Sequence, residues 1–326
     1  MRLLSVKKNF SVLVYALINR IKSEAVYPFY ASFKLNNVCG FRCSFCDIWK
    51  EEPKEPLPIE RIYRILDNLA NSSIIVVSFE GGEPLLRKGL LKILKYASRL
   101  PLYTEITTSA RNLIKYPLEQ YFKYLDFFHI SIDEGHDNLH LFQHLEEFRS
   151  SDAVLGVQIV VTRQTLGNLK EKIRHCYKAG AKAVIMPAAH LNRLEDVYPD
   201  PSVFRDEVLR LKKIFPHTIV TFDLFLNNIN KTHSCAASSI VIDSDGKLYY
   251  PCHLLKFKRI DLAGDSLMEF LKSNQARKDR KQMAACERRC GWYQYFAVPP
   301  YLTFSNLWSV LKEYYFELFN IRTIHR

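Results

Sequence analysis

The sequence predicts an α/β chain built on a parallel sheet, and three observations predict it. Strand-like apolar runs alternate with helix-like segments through the first two-thirds of the chain. Each gap between runs is long enough for a crossover helix, which makes βαβ units rather than hairpins. Hydrophobic residues at 48% and charged residues at 25% are ordinary for a globular enzyme with a full core.

Strands are expected at residues 29–35, 74–79, 103–108, 127–132, 154–162 and 183–186. Helices are expected between them at 59–70, 88–99, 112–121, 138–148 and 169–179, the last stopped by Ala179-Gly180. A helix at 202–215 and a seventh strand at 218–225 follow. The six regularly alternating strands fall short of the eight of a closed barrel.

After residue 226 the rhythm breaks. Residues 239–243, the turn Asp243-Ser244-Asp245-Gly246 and residues 247–250 predict a β-hairpin. A basic helical stretch then leads to Cys286 and Cys290. In the tail, Phe304, Leu307, Trp308, Leu311, Tyr315, Leu318 and Phe319 fall on one helical face. Such a stripe packs on the body or docks on a membrane or partner. The expected division is an N-terminal amphipathic helix (1–28), the βα region (29–226), a small cysteine-rich extension (227–300) and an amphipathic C-terminal helix (301–326).

Lysine and arginine number 46 against 34 acids, a formal charge of +12. Residues 1–22 hold five bases and no acid, and residues 256–289 hold ten bases against five acids. Charge speaks to partners, not fold. An anionic membrane surface, an anionic substrate, nucleic acid and a merely solvated basic face all fit. Nucleic acid rests on charge alone and is set aside. The apolar stretch 10–18 is shorter than the ~20 residues of a membrane span. Asn19-Arg20-Ile21-Lys22 stands where a signal peptide would carry small residues. The apolar stretch is expected to form a short amphipathic helix, either packed on the body or lying on a membrane, in a protein that is cytoplasmic or peripheral on the inner membrane face. Cysteines clustered in a reducing compartment point to metal or catalysis.

Three of the eight cysteines fall within eight residues after the first strand, as Cys39-x3-Cys43-x2-Cys46. Chance gives this pattern roughly 0.005 times per chain of this composition. Thiolates on a short loop can wrap one face of an iron–sulfur cube, one per iron, leaving the fourth iron open. A three-cysteine zinc site would want a histidine or fourth cysteine nearby, and none lies between Ala31 and Lys50.

Cys39, Cys43 and Cys46, with Phe45 before the last, resemble the radical S-adenosylmethionine (radical SAM) superfamily over residues 29–226. The resemblance implies a partial (β/α)6 TIM-type barrel. It also implies a [4Fe–4S] cluster whose open iron is chelated by SAM, and a 5′-deoxyadenosyl radical that takes hydrogen from substrate. Gly81-Gly82-Glu83-Pro84, after the second strand, matches the segment that grips the SAM amino group in that family. Ser131 and Asp133 match its ribose- or carboxylate-binding positions, and Arg163 its polar group after strand five. Strand three ends Thr107-Thr108-Ser109-Ala110, where many relatives read Thr-Asn-x-Gly. His136, at the barrel mouth, is the expected substrate-site residue. His136, His140 and His144 are spaced i, i+4, i+8, which fits metal binding or, more simply, a polar helix face. Cys176 is expected to be a buried structural thiol.

Cys235, Cys252, Cys286 and Cys290 remain, and four thiolates suit either a second [4Fe–4S] cluster or structural zinc. Their order resembles the auxiliary-cluster extensions called SPASM and twitch. The resemblance implies an enzyme drawing electrons from a ferredoxin or flavodoxin and acting on a peptide or lipid-type substrate. A non-catalytic iron–sulfur or zinc protein is the alternative.

Overall fold

The computed structural model describes residue 4 and residues 6–189, 197–229, 235–287 and 292–297. Six strands run parallel: β1 (Tyr30–Lys34), β2 (Val76–Glu80), β3 (Tyr103–Thr108), β4 (Phe127–Ser131), β5 (Val154–Val161) and β6 (Lys182–Pro187). Each pairs with its predecessor in the chain. Sequential parallel order with helical crossovers is the topology of a TIM-type barrel, here left open.

The described helices are α1 (Val6–Lys22), α2 (Ile59–Ala70), α3 (Leu90–Ala97), α4 (Leu118–Phe122), α5 (Leu169–Ala179), α6 (Pro201–Ile214), α7 (Asp223–Asn228), α8 (Leu267–Lys272), α9 (Asn274–Ala284) and α10 (Tyr293–Ala297). The expected stop after Ala179 is there: Gly180 takes a left-handed φ of 66° and closes α5. Asp200 caps α6 by accepting from the Ser202 and Val203 amides, with Pro201 in the first turn.

Alternation gives the sheet two faces. Phe33, Val77, Phe79, Ile106, Phe128, Ile130, Val157 and Ile185 are at most 1% exposed. They share one core with Ile62, Ile65 and Leu66 of α2, Ile93 and Leu94 of α3, and Ile173 of α5. Tyr30, Ser32, Lys34, Ser78, Glu80, Glu105, His129 and Gln158 alternate with that set and point to the concave side.

Four expectations need correction. Residues 139–148 form a run of 3-10 turns, not an α-helix. The segment 112–121 is split: a 3-10 turn at Leu113–Lys115, then α4 after Pro117, which has no amide to continue a helix. No seventh strand forms at 218–225. Ile219 makes one isolated bridge to Ala183. The Thr221 hydroxyl then takes over, accepting from the Ile185 amide at 2.7 Å and donating to its carbonyl at 3.1 Å. A side chain thus replaces the ladder, and α7 begins two residues later.

Finally, the hairpin β7 (Ser239–Ile242) and β8 (Lys247–Tyr249) carries a third strand, β9 (Lys258–Asp261), where a helix was expected. β7 pairs in parallel with β1, so the C-terminal strands extend the same sheet. The aromatic stripe at 304–319 lies outside the described residues, as does Cys290.

Candidate functional site

The cysteine loop leaves β1 at the carboxyl ends of the parallel strands, and the end of β2 fixes its base. The Gly82 amide donates to the Asn36 carbonyl at 3.0 Å, and the Glu83 amide to the Val38 carbonyl at 2.8 Å. The Asn36 side chain closes the clamp, donating to the Glu83 carbonyl at 2.9 Å and accepting from the Val38 amide at 3.0 Å. A Cβ on Gly81 would stand 2.6 Å from the Asn36 carbonyl oxygen, and one on Gly82 would stand 2.1 Å from that of Val38. Both glycines are therefore required by backbone lying against backbone.

Cys43 is buried, while Cys39 and Cys46 are half-buried. The loop tightens between the last two, with the Cys46 amide donating to the Cys43 carbonyl at 3.2 Å. Burial raises all three thiols. Cys43 is pushed up to about 12, with Asp133 and the other two thiols adding to the burial. Among the described residues no three His, Cys, Asp or Glu side chains form a ready single-ion cage. The donor set itself, three soft sulfurs near one another and short of hard ligands, suits an iron–sulfur cluster.

The segment after β4 packs onto this loop. Asp133 is fully buried. Its carboxylate accepts from the His136 amide at 3.0 Å and lies 2.9 Å from His136 Nδ1. The His136 ring sits edge-on to Phe41 and Phe45, both at 5.6 Å between centroids. Phe45 lies so close over Gly135 that a Cβ there would be 2.3 Å from the ring. Phe45 and His136, expected from sequence, are thus brought together beside the cysteines. Asn138 ties this wall down, donating to the Ser131 and Ser109 carbonyls at 2.8 and 3.0 Å.

Other expected residues sit differently. Glu83 turns its carboxylate inward, where the Leu85 amide, the Thr108 hydroxyl and the Ser109 amide donate to it at 3.0, 2.7 and 3.0 Å. Its acceptors join the ends of β2 and β3. Burial still holds its pKa above the ordinary carboxylate value. Pro84 is buried and starts a 3-10 turn. Ser131 is buried at the end of β4. Arg163 is exposed beyond β5, its amide donating to the Val197 carbonyl at 3.0 Å. His140 and His144 do not join His136: one pairs with the Arg111 carbonyl, the other with Glu147. Cys176 is fully buried in the core, as expected.

Sequence reasoning missed the polar concave face. Glu105 Oε1 accepts from the Ser78 and Tyr30 hydroxyls at 2.8 and 3.1 Å and lies 3.4 Å from His129 Nδ1. Gln158 Nε2 lies 3.1 Å from the same nitrogen. Gly156 leaves room for the ring, since a Cβ there would be 2.2 Å from it. Burial would raise Glu105, but His129 and the hydroxyls outweigh it and hold the carboxyl below its usual range. Above them Ser32 donates to Glu80 at 2.5 Å. The available signal was a charged residue mid-strand in Tyr103-Thr104-Glu105-Ile106, in phase with His129 on the neighbouring strand.

Beside β1, the buried Asp243 takes Lys258 at 2.5 Å, Lys54 at 2.9 Å and Lys34 at 4.0 Å. These lysines hold its carboxyl well below the usual range, against burial. Farther out, Cys235, Cys252 and Cys286 line one cavity with Leu254, Leu255, Met283 and Tyr295. His253, next to Cys252, hydrogen-bonds the Tyr295 hydroxyl through its amide at 3.0 Å. Burial, aided by Lys34, lowers its ring to about 3, so it is neutral.

Residues 33–196, half of the chain, match the family described as the Radical SAM superfamily. The chain belongs to the radical SAM superfamily. It is therefore an enzyme, and its cofactors are a [4Fe–4S] cluster and SAM. Among curated relatives, an S-adenosylmethionine-dependent nucleotide dehydratase of Lacinutrix mariniflava is 35% identical over 108 residues, 31% of this chain and 23% of that protein. A PqqA peptide cyclase of Rhodopseudomonas palustris is 32% identical over 85 residues, 26% of this chain and 22% of that protein. The chain thus matches less than a quarter of either relative's length. Among solved structures, Streptococcus suis SuiB bound to the precursor peptide SuiA superposes with a TM-score of 0.64 at 14% identity, covering 86% of this chain and 74% of that one. That likeness carries the radical SAM fold.

Proposed function

We propose that this radical SAM enzyme holds its [4Fe–4S] cluster on Cys39, Cys43 and Cys46 and acts on a C–H bond of a polar, peptide-type substrate received on the concave face. When bound, the cluster and SAM supply a 5′-deoxyadenosyl radical able to take hydrogen from unactivated carbon. The observation that carries this reading is the clamp between Gly81–Glu83 and residues 36–38, which fixes the thiol loop at the mouth of the polar face.

The chain's own residues divide the work. The Gly81–Gly82 edge, packed backbone to backbone against Asn36 and Val38, holds the base of the thiol loop. With Glu83, Pro84, Ser131, Asp133 and Arg163 it forms the proposed SAM cradle. Phe41, Phe45 and His136 cover the loop and keep water from it. His136, its Nδ1 engaged by Asp133, is positioned as the substrate-facing group.

Glu105, His129, Gln158 and Glu80 favour a peptide over a lipid chain. They are already paired among themselves and with the Ser78, Tyr30 and Ser32 hydroxyls, and the polar wall they form matches amide groups of a peptide better than an acyl or isoprenoid chain. Peptides are named for two of the proteins this chain is similar to, the PqqA peptide cyclase and SuiB with its precursor peptide. Cys235, Cys252 and Cys286, sharing one cavity, support a second [4Fe–4S] cluster with Cys290 as fourth ligand; structural zinc is the competing occupant. A ferredoxin or flavodoxin is the proposed electron donor.

The test is anaerobic reconstitution followed by assay for 5′-deoxyadenosine under a low-potential reductant. The wild type is expected to form it, and Cys43→Ala to form none. Product from Cys43→Ala removes the three-cysteine assignment. No product from a wild type carrying its cluster favours the electron-carrier alternative.

A further inference from the structure

Among the described residues, helix α1 is fastened to the body along the side that carries Lys8, Asn19 and Tyr15. Lys8 is buried, and its ammonium donates to the Ala70 and Ser72 carbonyls at 3.0 and 2.8 Å. Asn19 is also buried and holds Tyr27 from both sides, donating to its carbonyl and accepting from its amide at 2.9 Å each. Tyr15 packs on the Tyr27 ring at 4.7 Å. The opposite side is open: Phe10 is 68% exposed, Leu13 56%, Val14 37%, Leu17 55% and Ile21 75%. At 100° per residue these five make a stripe about 100° wide. Lys7 lies along one edge and Arg20 along the other, both exposed. Residues 6–23 contain no acid.

An apolar stripe between basic edges, on a helix pinned by its polar side, matches the layering of an anionic lipid surface. Acyl boundary meets the apolar strip, and headgroup phosphates meet Lys7, Arg20 and Lys22. A protein partner would have to supply an apolar groove with acidic rims, and a second copy would bring two basic edges together. Among the described residues no helix is long and apolar enough to cross a membrane, so the contact is peripheral.

The fold also sets which way the molecule faces. The carbonyls held by Lys8 lie at the carboxyl end of α2, where the chain turns into β2. That is the amino-terminal rim of the strands, opposite the cysteine loop. We propose that α1 docks the enzyme on an anionic membrane surface with the barrel mouth turned away from the bilayer. Docking then localises the enzyme and leaves its mouth open to the aqueous side.

The experiment is co-sedimentation of the full chain with phosphatidylcholine vesicles, with or without about 30% phosphatidylglycerol. About tenfold more protein is expected on the anionic vesicles at low salt, falling several-fold at about 0.5 M salt as surface charge is screened. Leu13→Glu/Leu17→Glu, both exposed, should lose binding with unchanged thermal unfolding, and Lys7→Glu/Arg20→Glu should lose most of it. Hydrogen exchange on vesicles should slow in residues 6–22 and be unchanged in residues 111–115 and 162–168 at the mouth. The proposal fails if neither vesicle binds the wild type, or if Leu13→Glu/Leu17→Glu binds as well as the wild type. It also fails if that variant only converts a dimer to monomer, which gives the stripe to a second copy. Slowed exchange at the mouth overturns the orientation.

Discussion

The backbone of Gly82 runs so close to Val38 that a Cβ on Gly82 would stand 2.1 Å from the Val38 carbonyl oxygen. The obstacle is backbone, so it cannot rotate aside. Gly82→Ala must instead displace the segment leading into Cys39, at about 1–3 kcal/mol of overpacking. The expected result is a folded protein that takes up less than half the wild-type iron at the thiol loop on anaerobic reconstitution. Gly167→Ala is the control, because a Cβ there meets nothing within 4 Å. Wild-type iron in Gly82→Ala would mean that the clamp yields freely and does not set the loop.

Asp133 makes a second prediction. Its carboxylate serves the His136 amide, the His136 ring and, at 3.4 Å, the Val160 amide. Asp133→Ala strips partners from buried donors and is expected to destabilise the protein by about 1–3 kcal/mol in urea unfolding. It also frees the His136 ring from between Phe41 and Phe45. SAM binding by the reconstituted protein should weaken more than in His136→Ala, which leaves the carboxylate and its backbone contacts in place. Equal effects would place the interaction on the imidazole instead.

Much of this was legible in the sequence because the physics is local. The six parallel strands announce themselves through apolar runs, and the thiol loop through spacing alone. Gly81-Gly82 signals a close approach in the sequence, but its partner, the backbone of Asn36 and Val38, is visible only in the fold. What escaped was set at long range. The strand expected around residue 220 failed because one hydroxyl, Thr221, satisfied Ile185 on both its backbone groups. The helix expected at 138–148 was decided by packing of Leu141, Phe142, Leu145 and Phe148 into the core as 3-10 turns. The Glu105–His129 contact joins residues from two strands, and nothing in either strand alone names its partner. The third C-terminal strand, β9, carries lysine and arginine, which read as helical until Lys258 is seen paired with Asp243 and Asp245.

Asp243 sets a pH-dependent prediction. Its folded carboxyl lies below the ordinary value, held there by Lys258 and Lys54. A depressed folded value means that the native state favours the charged form. The stabilisation is therefore complete above the unfolded carboxylate value of about 3.9 and is lost as pH falls toward the folded value. Asp243→Asn leaves Lys34, Lys54 and Lys258 facing one another without their shared anion. It should cost about 1–3 kcal/mol near neutral pH, since the lysines are partly exposed and Lys258 keeps Asp245 while Lys54 keeps Glu51. The gap between variant and wild type should narrow below about pH 4, as the wild type loses the same interaction. Urea unfolding across pH measures both. A gap independent of pH would show that packing, not charge, holds this corner.

The cavity lined by Cys235, Cys252 and Cys286 makes the last prediction, because the two cysteine sets should load independently. Cys252 is buried just after β8, on the sheet's extension. With two cubane clusters the wild type should carry about eight irons, and Cys252→Ala about four. The remaining iron should still change its EPR spectrum on addition of SAM. Cys43→Ala should show the converse, about four irons blind to SAM. If the cavity holds zinc instead, the wild type should carry about four irons and one zinc, and Cys252→Ala should lose only the zinc. In both cases Cys252→Ala should also unfold at lower temperature, since the metal ties the β7–β8 hairpin to the end of α9. Loss of the SAM response in Cys252→Ala would mean that the sites are coupled and that neither cysteine set can be read alone.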